Sequence, residues 1–213
     1  MDAQELLADR WRNLVRQHVC PEAAAQAVLD DLLAAYREPL RHYHNLEHVA
    51  SLLRLLDENC HGVADRTAVE LAILFHDVVY DPTRHDNERA SADLASERLA
   101  ALGFASELIT KVQTYIFATQ HGLTAPATGD ADLALLLDLD LSILGAAPAE
   151  YRAYAEAIRR EYGHVTDELY RSGRKRVLEG FLARDRIYRT DRLHALWDAR
   201  ARDNIANEIA ELT

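Results

Sequence analysis

The sequence predicts an all-α, single-domain helical bundle, and three observations predict it. Apolar residues recur at three- and four-residue spacing along most of the chain, the pattern of a helix with one buried face. Gly and Pro are sparse, 8 and 5 among 213 residues, while Ala, Leu, Arg and Glu recur, and these are strong helix formers. No stretch alternates as a half-buried strand does, and there is no internal repeat or low-complexity tract. At 213 residues the chain is long enough for one well-buried domain, and length alone does not require two.

Each element follows from local signals. Over 5–18, Leu6, Leu7, Trp11, Leu14 and Val15 fall at helical spacing. Cys20-Pro21 interrupts that pattern, and Pro21 suits the start of a second helix to about residue 36. Residues 41–44 read as a polar approach to a third helix, whose stripe is Leu46, Val49, Leu52, Leu53 and Leu56, ending near Cys60-His61-Gly62. A fourth helix is expected over 65–79, with the apolar run Leu71 to Phe75 centrally buried. Tyr80-Asp81-Pro82 stops it, because Pro disfavours helical geometry in the residue before it. Helices are expected from about 86 to 103, with Gly103 as C-terminal cap, and over 107–121. Residues 123–129, holding Pro126 and Gly129, read as a mobile surface loop. Helices over 130–144, 148–162, 166–188 and 190–212 complete the chain.

Composition excludes several classes of function. The formal net charge is −11, which argues against binding nucleic-acid polymer through its phosphates. A nucleotide substrate stays open, since a bound ion and local Arg can reverse the field in a cleft. Cys20 and Cys60 form neither a Cys-x-x-Cys pair nor a disulfide framework. No apolar run approaches the roughly 20 residues of a membrane span, and the acidic N-terminus is unlike a secretory signal. The expectation is a soluble cytoplasmic protein with no membrane partner.

The residues that carry chemistry cluster in four places. His44 and His48, four apart, are expected on one helical face. His76 and Asp77 are adjacent, so both reach one ion only near a helix end or a distortion. Asp138 and Asp140 interrupt the apolar run Leu135 to Leu141, where carboxylates need compensation of the kind a metal ion provides. Arg171 to Arg176 is the one dense basic run, from which Arg174 and Lys175 are candidates to hold substrate phosphates. Plainer readings stand beside these: a solvated histidine face, Asp86 and Glu88 as helix caps, Asp81 as a turn former before Pro82, His121 meeting a helix C-terminus, and the basic run as a solvated helix start.

Taken in order, His…His-Asp…Asp in a helical chain resembles the HD-domain metal-dependent phosphohydrolases. Tyr43-His44-Asn45-x-x-His48 is also similar to the opening motif of the cyclic-nucleotide phosphodiesterases, a branch of that superfamily. The fullest resemblance is to a bacterial group described as predicted HD-superfamily phosphohydrolases. It is carried by Tyr43-His44-Asn45-Leu46-Glu47-His48, His76-Asp77-Val78-Val79-Tyr80-Asp81, Asp86-Asn87-Glu88-x-x-Ser91-Ala92 and Leu137-Asp138-Leu139-Asp140-Leu141-Ser142, over about residues 40–145. The purine clamp of the phosphodiesterases is not recognisable, which tells against cyclic nucleotides.

The resemblance implies metal ligation by His48, His76, Asp77 and Asp140, with His121 where some HD proteins hold a second ion. It implies His44 as the acid that protonates the leaving oxygen. Asp81 and Glu88 stand where they would orient water or support a ligand. The implied cofactor is a divalent ion, with Mn, Mg, Fe, Co, Ni and Zn all compatible. The implied activity is hydrolysis, by metal-activated water, of a phosphate ester or anhydride of a nucleotide or related small molecule. The alternative is a catalytically weak metal- or nucleotide-binding regulator, and self-association is left open.

Overall fold

The computed structural model describes residues 1–16, 20–120 and 129–212. Among these residues there are ten α-helices, one short 3-10 helix and no strand, so the chain is all-α. None of the described helices is long and apolar enough to cross a membrane. The chain divides into two compact units, Met1–His121 and Gly122–Thr213.

The first unit holds α1 (Ala3–Val15), α2 (Glu22–Ala35), α3 (Leu46–Asn59), α4 (Arg66–Phe75), α5 (Asn87–Ala101) and α6 (Ser106–Ala118). α1 opens on a capping box in which the Asp2 side chain accepts from the Glu5 amide and Glu5 reaches back to the amide of Asp2. α4 is buried on every side from Ala68 to Phe75, and α1, α3, α5 and α6 all pack on it. Only a helix apolar around its circumference can take that central place. α3 turns Val49, Leu52, Leu53 and Leu56 inward, and each such side chain contributes roughly 1.5–3 kcal/mol by leaving water. Trp11 donates its indole N–H to Ala25 O at 2.8 Å and meets Phe75 edge-on, which ties α1 to α2 and α4. A ring of charges, Arg10 and Arg66 with Asp57 and Glu70, links α1, α3 and α4.

The second unit holds α7 (Ala131–Asp140), a 3-10 turn (Leu141–Gly145), α8 (Pro148–Glu161), α9 (Asp167–Leu182) and α10 (Asp191–Glu211). α10 packs on the 3-10 turn and on α9. Gly145 is required there, since a Cβ would lie 2.6 Å from Trp197 Cβ and 2.9 Å from Tyr188 Oη. Asn204 donates to Leu144 O and Ala146 O, both at 2.9 Å, closing the same turn.

Several helix ends differ from the expectation. α4 stops at Phe75 rather than near residue 79, seven residues short of Pro82, because side chains take over its last carbonyls. α7 gives way to the 3-10 turn after Asp140. α9 stops at Leu182 rather than near 188, because carboxylates from α7 and α10 capture the amides of residues 187–190. The expected loop over 123–129 falls, except for Gly129, outside the described residues.

Candidate metal centre

The site begins at a helix cap. Asn45 is the N-cap of α3, its side-chain oxygen accepting from the amides of Glu47 at 2.9 Å and His48 at 3.4 Å, as short polar side chains do at helix starts. Its side-chain amide donates to His42 O at 3.1 Å. The cap fixes where α3 starts and so where His48, buried in its first turn, points. His44 lies before the cap, outside the helix. The expected helical face shared by His44 and His48 therefore does not exist. The two rings still come within 5.8 Å, and His44 stacks on Tyr80 at 4.2 Å.

His76 is the C-cap of α4, and its ring is buried. Its Nδ1 lies 2.9 Å from Ile73 O. A carbonyl only accepts, so Nδ1 carries the proton, and in the neutral ring Nε2 keeps its lone pair. That Nε2 lies 3.2 Å from His48 Nε2 and 3.0 Å from Asp77 Oδ2, while His48 Nε2 and Asp77 Oδ2 are 3.9 Å apart. These three residues form the one group among the described residues with ligand atoms close enough to share a metal ion.

Geometry and donor chemistry both fit an ion. A triangle with edges of 3.0, 3.2 and 3.9 Å has a point about 2.0 Å from all three corners, the length of a metal–nitrogen or metal–carboxylate bond. Two imidazoles and one carboxylate suit Mn, Fe, Co, Ni or Zn better than an all-oxygen ion such as calcium. The Nδ1 bond from His76 to a backbone carbonyl is the outer support that metal-bound histidines commonly have.

The turn bearing His76 and Asp77 is held from two directions. From the α2–α3 connection, Tyr36 Oη donates to Leu74 O at 3.0 Å. Arg41 donates through Nη1 to Asp77 O at 2.5 Å and through Nη2 to Val78 O at 3.0 Å. From α5, Ser91 Oγ accepts from the Val79 amide at 3.1 Å and donates to Val79 O at 3.2 Å. Asn87 pairs with both backbone groups of Asp81, at 3.1 and 2.8 Å. Carbonyls left over at a helix end need such partners. Sequence reasoning missed Tyr36, Arg41, Asn87 and Ser91 in this role. Asn87 and Ser91, four apart on one helix, offered a spacing signal; Arg41 offered none.

Asp81 Oδ1 accepts from the Thr83 amide at 2.8 Å and hydroxyl at 2.7 Å, the contacts of a turn former. Glu88 sits half-buried in the first turn of α5 and is not part of the triangle. Asp86 occupies the N-cap position but does not cap. It pairs with Arg84 at 2.8 and 2.9 Å, which holds its carboxyl below the usual range. His121 lies outside the described residues.

In the second unit, Asp138 is buried and accepts from the amides of Arg189 at 2.6 Å and Thr190 at 2.8 Å and from the Thr190 hydroxyl at 2.7 Å. Burial still pushes its carboxyl above the usual range, against those bonds. The compensation expected from a metal thus comes, for Asp138, from protein donors. Asp140 is the half-buried last residue of α7. Arg174 is not presented to solvent as a phosphate ligand would be. Its fork holds Glu208 at 2.7 and 3.1 Å, and Glu208 also accepts from Tyr151. Lys175 is half-buried on α9.

A scan of protein-family models, a search of curated proteins and a search of solved structures each found no match to the chain.

Proposed function

We propose that the chain is a metal-dependent phosphohydrolase of the HD type, with a divalent-ion site built from His48, His76 and Asp77. One observation carries the reading. Two Nε2 atoms and a carboxylate oxygen, brought from two helix ends, lie 3.0, 3.2 and 3.9 Å apart, and His76 is held in the tautomer that offers its lone pair inward. When bound, a divalent ion supplies Lewis acidity toward water and phosphoryl oxygens.

The chain's own residues supply the rest. His48, His76 and Asp77 bring one negative charge to the site, so a dication there keeps net positive charge for a phosphate. His44 stands beside His48 without belonging to the triangle. Histidine changes charge near neutral pH, so the His44 ring can hold a proton and pass it to the leaving oxygen. Its stack on Tyr80 fixes the ring plane. The motif resemblance directs the substrate class to phosphate esters or anhydrides of nucleotides or related small molecules.

The test is metal analysis joined to a substrate panel. Protein purified with Mn²⁺, Co²⁺ or Zn²⁺ is expected to bind the ion and to release phosphate or pyrophosphate from at least one nucleotide. His76→Ala and Asp77→Ala are each expected to lose ion and activity together. Unchanged metal content in both variants would overturn the site. Nucleotide binding without any product release would indicate a regulator instead.

A further inference from the structure

We propose that Arg41 is a positioning residue for the metal centre, setting the Asp77 side of the donor triangle relative to the His48 side. The inference rests on the metal reading above. Arg41 is a cation in the interior of the first unit, its side chain 2% exposed. Arg is seldom so buried unless its donors are engaged, and here every nitrogen has an acceptor. Nη1 and Nη2 grip the carbonyls of Asp77 and Val78 at 2.5 and 3.0 Å. Nη1 also reaches His44 O at 3.4 Å, and Nε pairs with Glu38 at 2.9 Å. The guanidinium lies 5.3 Å from the Tyr36 ring and 5.6 Å from the Tyr80 ring, within cation–π range of both.

One rigid planar group thus joins two segments that lie 36 positions apart in sequence at this contact. The first, 41–45, leads through the Asn45 cap into the turn that aims His48. The second is the turn that ends α4 and carries Asp77. The longest edge of the triangle, 3.9 Å from His48 to Asp77, runs between them. A shift of the Asp77 backbone by a few tenths of an ångström changes that edge directly, because Asp77 is the residue whose carbonyl Arg41 holds. Lysine cannot substitute, since an ammonium on a flexible stem has no planar fork to hold two carbonyls at fixed spacing.

The experiment titrates Co²⁺ into the full chain and reads affinity and the visible spectrum of the bound ion. Asp2→Ala is the control for a purely structural role. It removes the side-chain acceptor that caps α1 at the Glu5 amide, a helix start with no part in the metal centre. Arg41→Gln and Arg41→Lys are expected to bind Co²⁺ about tenfold to a hundredfold more weakly, the usual effect of losing an outer support, with a shifted spectrum. Asp2→Ala is expected to lower the melting temperature with Co²⁺ affinity and spectrum unchanged. Should Arg41→Gln fail to fold, Arg41→Lys, which keeps the charge, decides. Co²⁺ affinity within twofold of the parent, with the parent's spectrum, would overturn the proposal whatever the loss of stability. Failure of the unsubstituted chain to bind Co²⁺ would instead overturn the metal reading itself.

Discussion

At the scale of single residues, the motif Tyr43 to His48 resolves into separate tasks. Asn45 starts a helix, His48 is one corner of the triangle, and His44 stays outside the helix against Tyr80. The division predicts opposite phenotypes for two histidines four positions apart. His44→Ala is expected to keep its metal while kcat falls about 10²- to 10⁴-fold, the typical worth of a positioned acid. Loss of metal from His44→Ala, measured on the purified variant, would sink that assignment. His48, His76 and Asp77 were marked in sequence by the ordered motifs that carry the resemblance, which implied them as ligands together with Asp140. Arg41 was not legible. An arginine in a polar approach looks solvated, and the carbonyls it holds at the metal turn lie 36 and 37 positions away, a pairing no spacing rule encodes. Asp138 drew attention for the right reason, a carboxylate in apolar surroundings. The donors that satisfy it come from Arg189 and Thr190, also beyond the reach of local pattern.

At the scale of elements, helix type and order were readable and helix ends were not. Apolar periodicity runs on past the real ends of α4 and α9, because Val78, Ile187 and Tyr188 are buried although none is helical. Burial, which periodicity senses, continues; backbone bonding changes hands. After α9, Asp198 of α10 accepts from the Ile187 amide at 2.8 Å and is paired with Arg202 at 2.7 Å. Burial raises the Asp198 carboxyl, but Arg202 and the amide outweigh it, and its pKa lies below the usual value. A carboxylate with a depressed folded-state pKa stabilises fully above its unfolded value, near pH 4, and the stabilisation is lost as pH falls through the folded value. Asp198→Asn is therefore expected to cost about 1–3 kcal/mol at pH 7 and progressively less as pH falls below about 4. Urea unfolding across that range checks this, and a pH-independent difference would refute it.

At the scale of the whole molecule, the formal charge of −11 favours a dication and opposes an anionic substrate. Raising KCl from about 20 to about 200 mM is expected to weaken Mn²⁺ binding several-fold, because it screens that field. Calorimetric titration at the two salt levels measures the change, and unchanged affinity would show that the distant charges do not contribute. The connection from α9 to α10 carries a different consequence. Four successive amides, Ile187 to Thr190, are donated to two buried carboxylates, Asp198 and Asp138. A stretch without helical bonds of its own is thereby removed from local fraying. In hydrogen-exchange terms it belongs with the slow amides of the second unit, and its protons leave only when Asp138 and Asp198 let go.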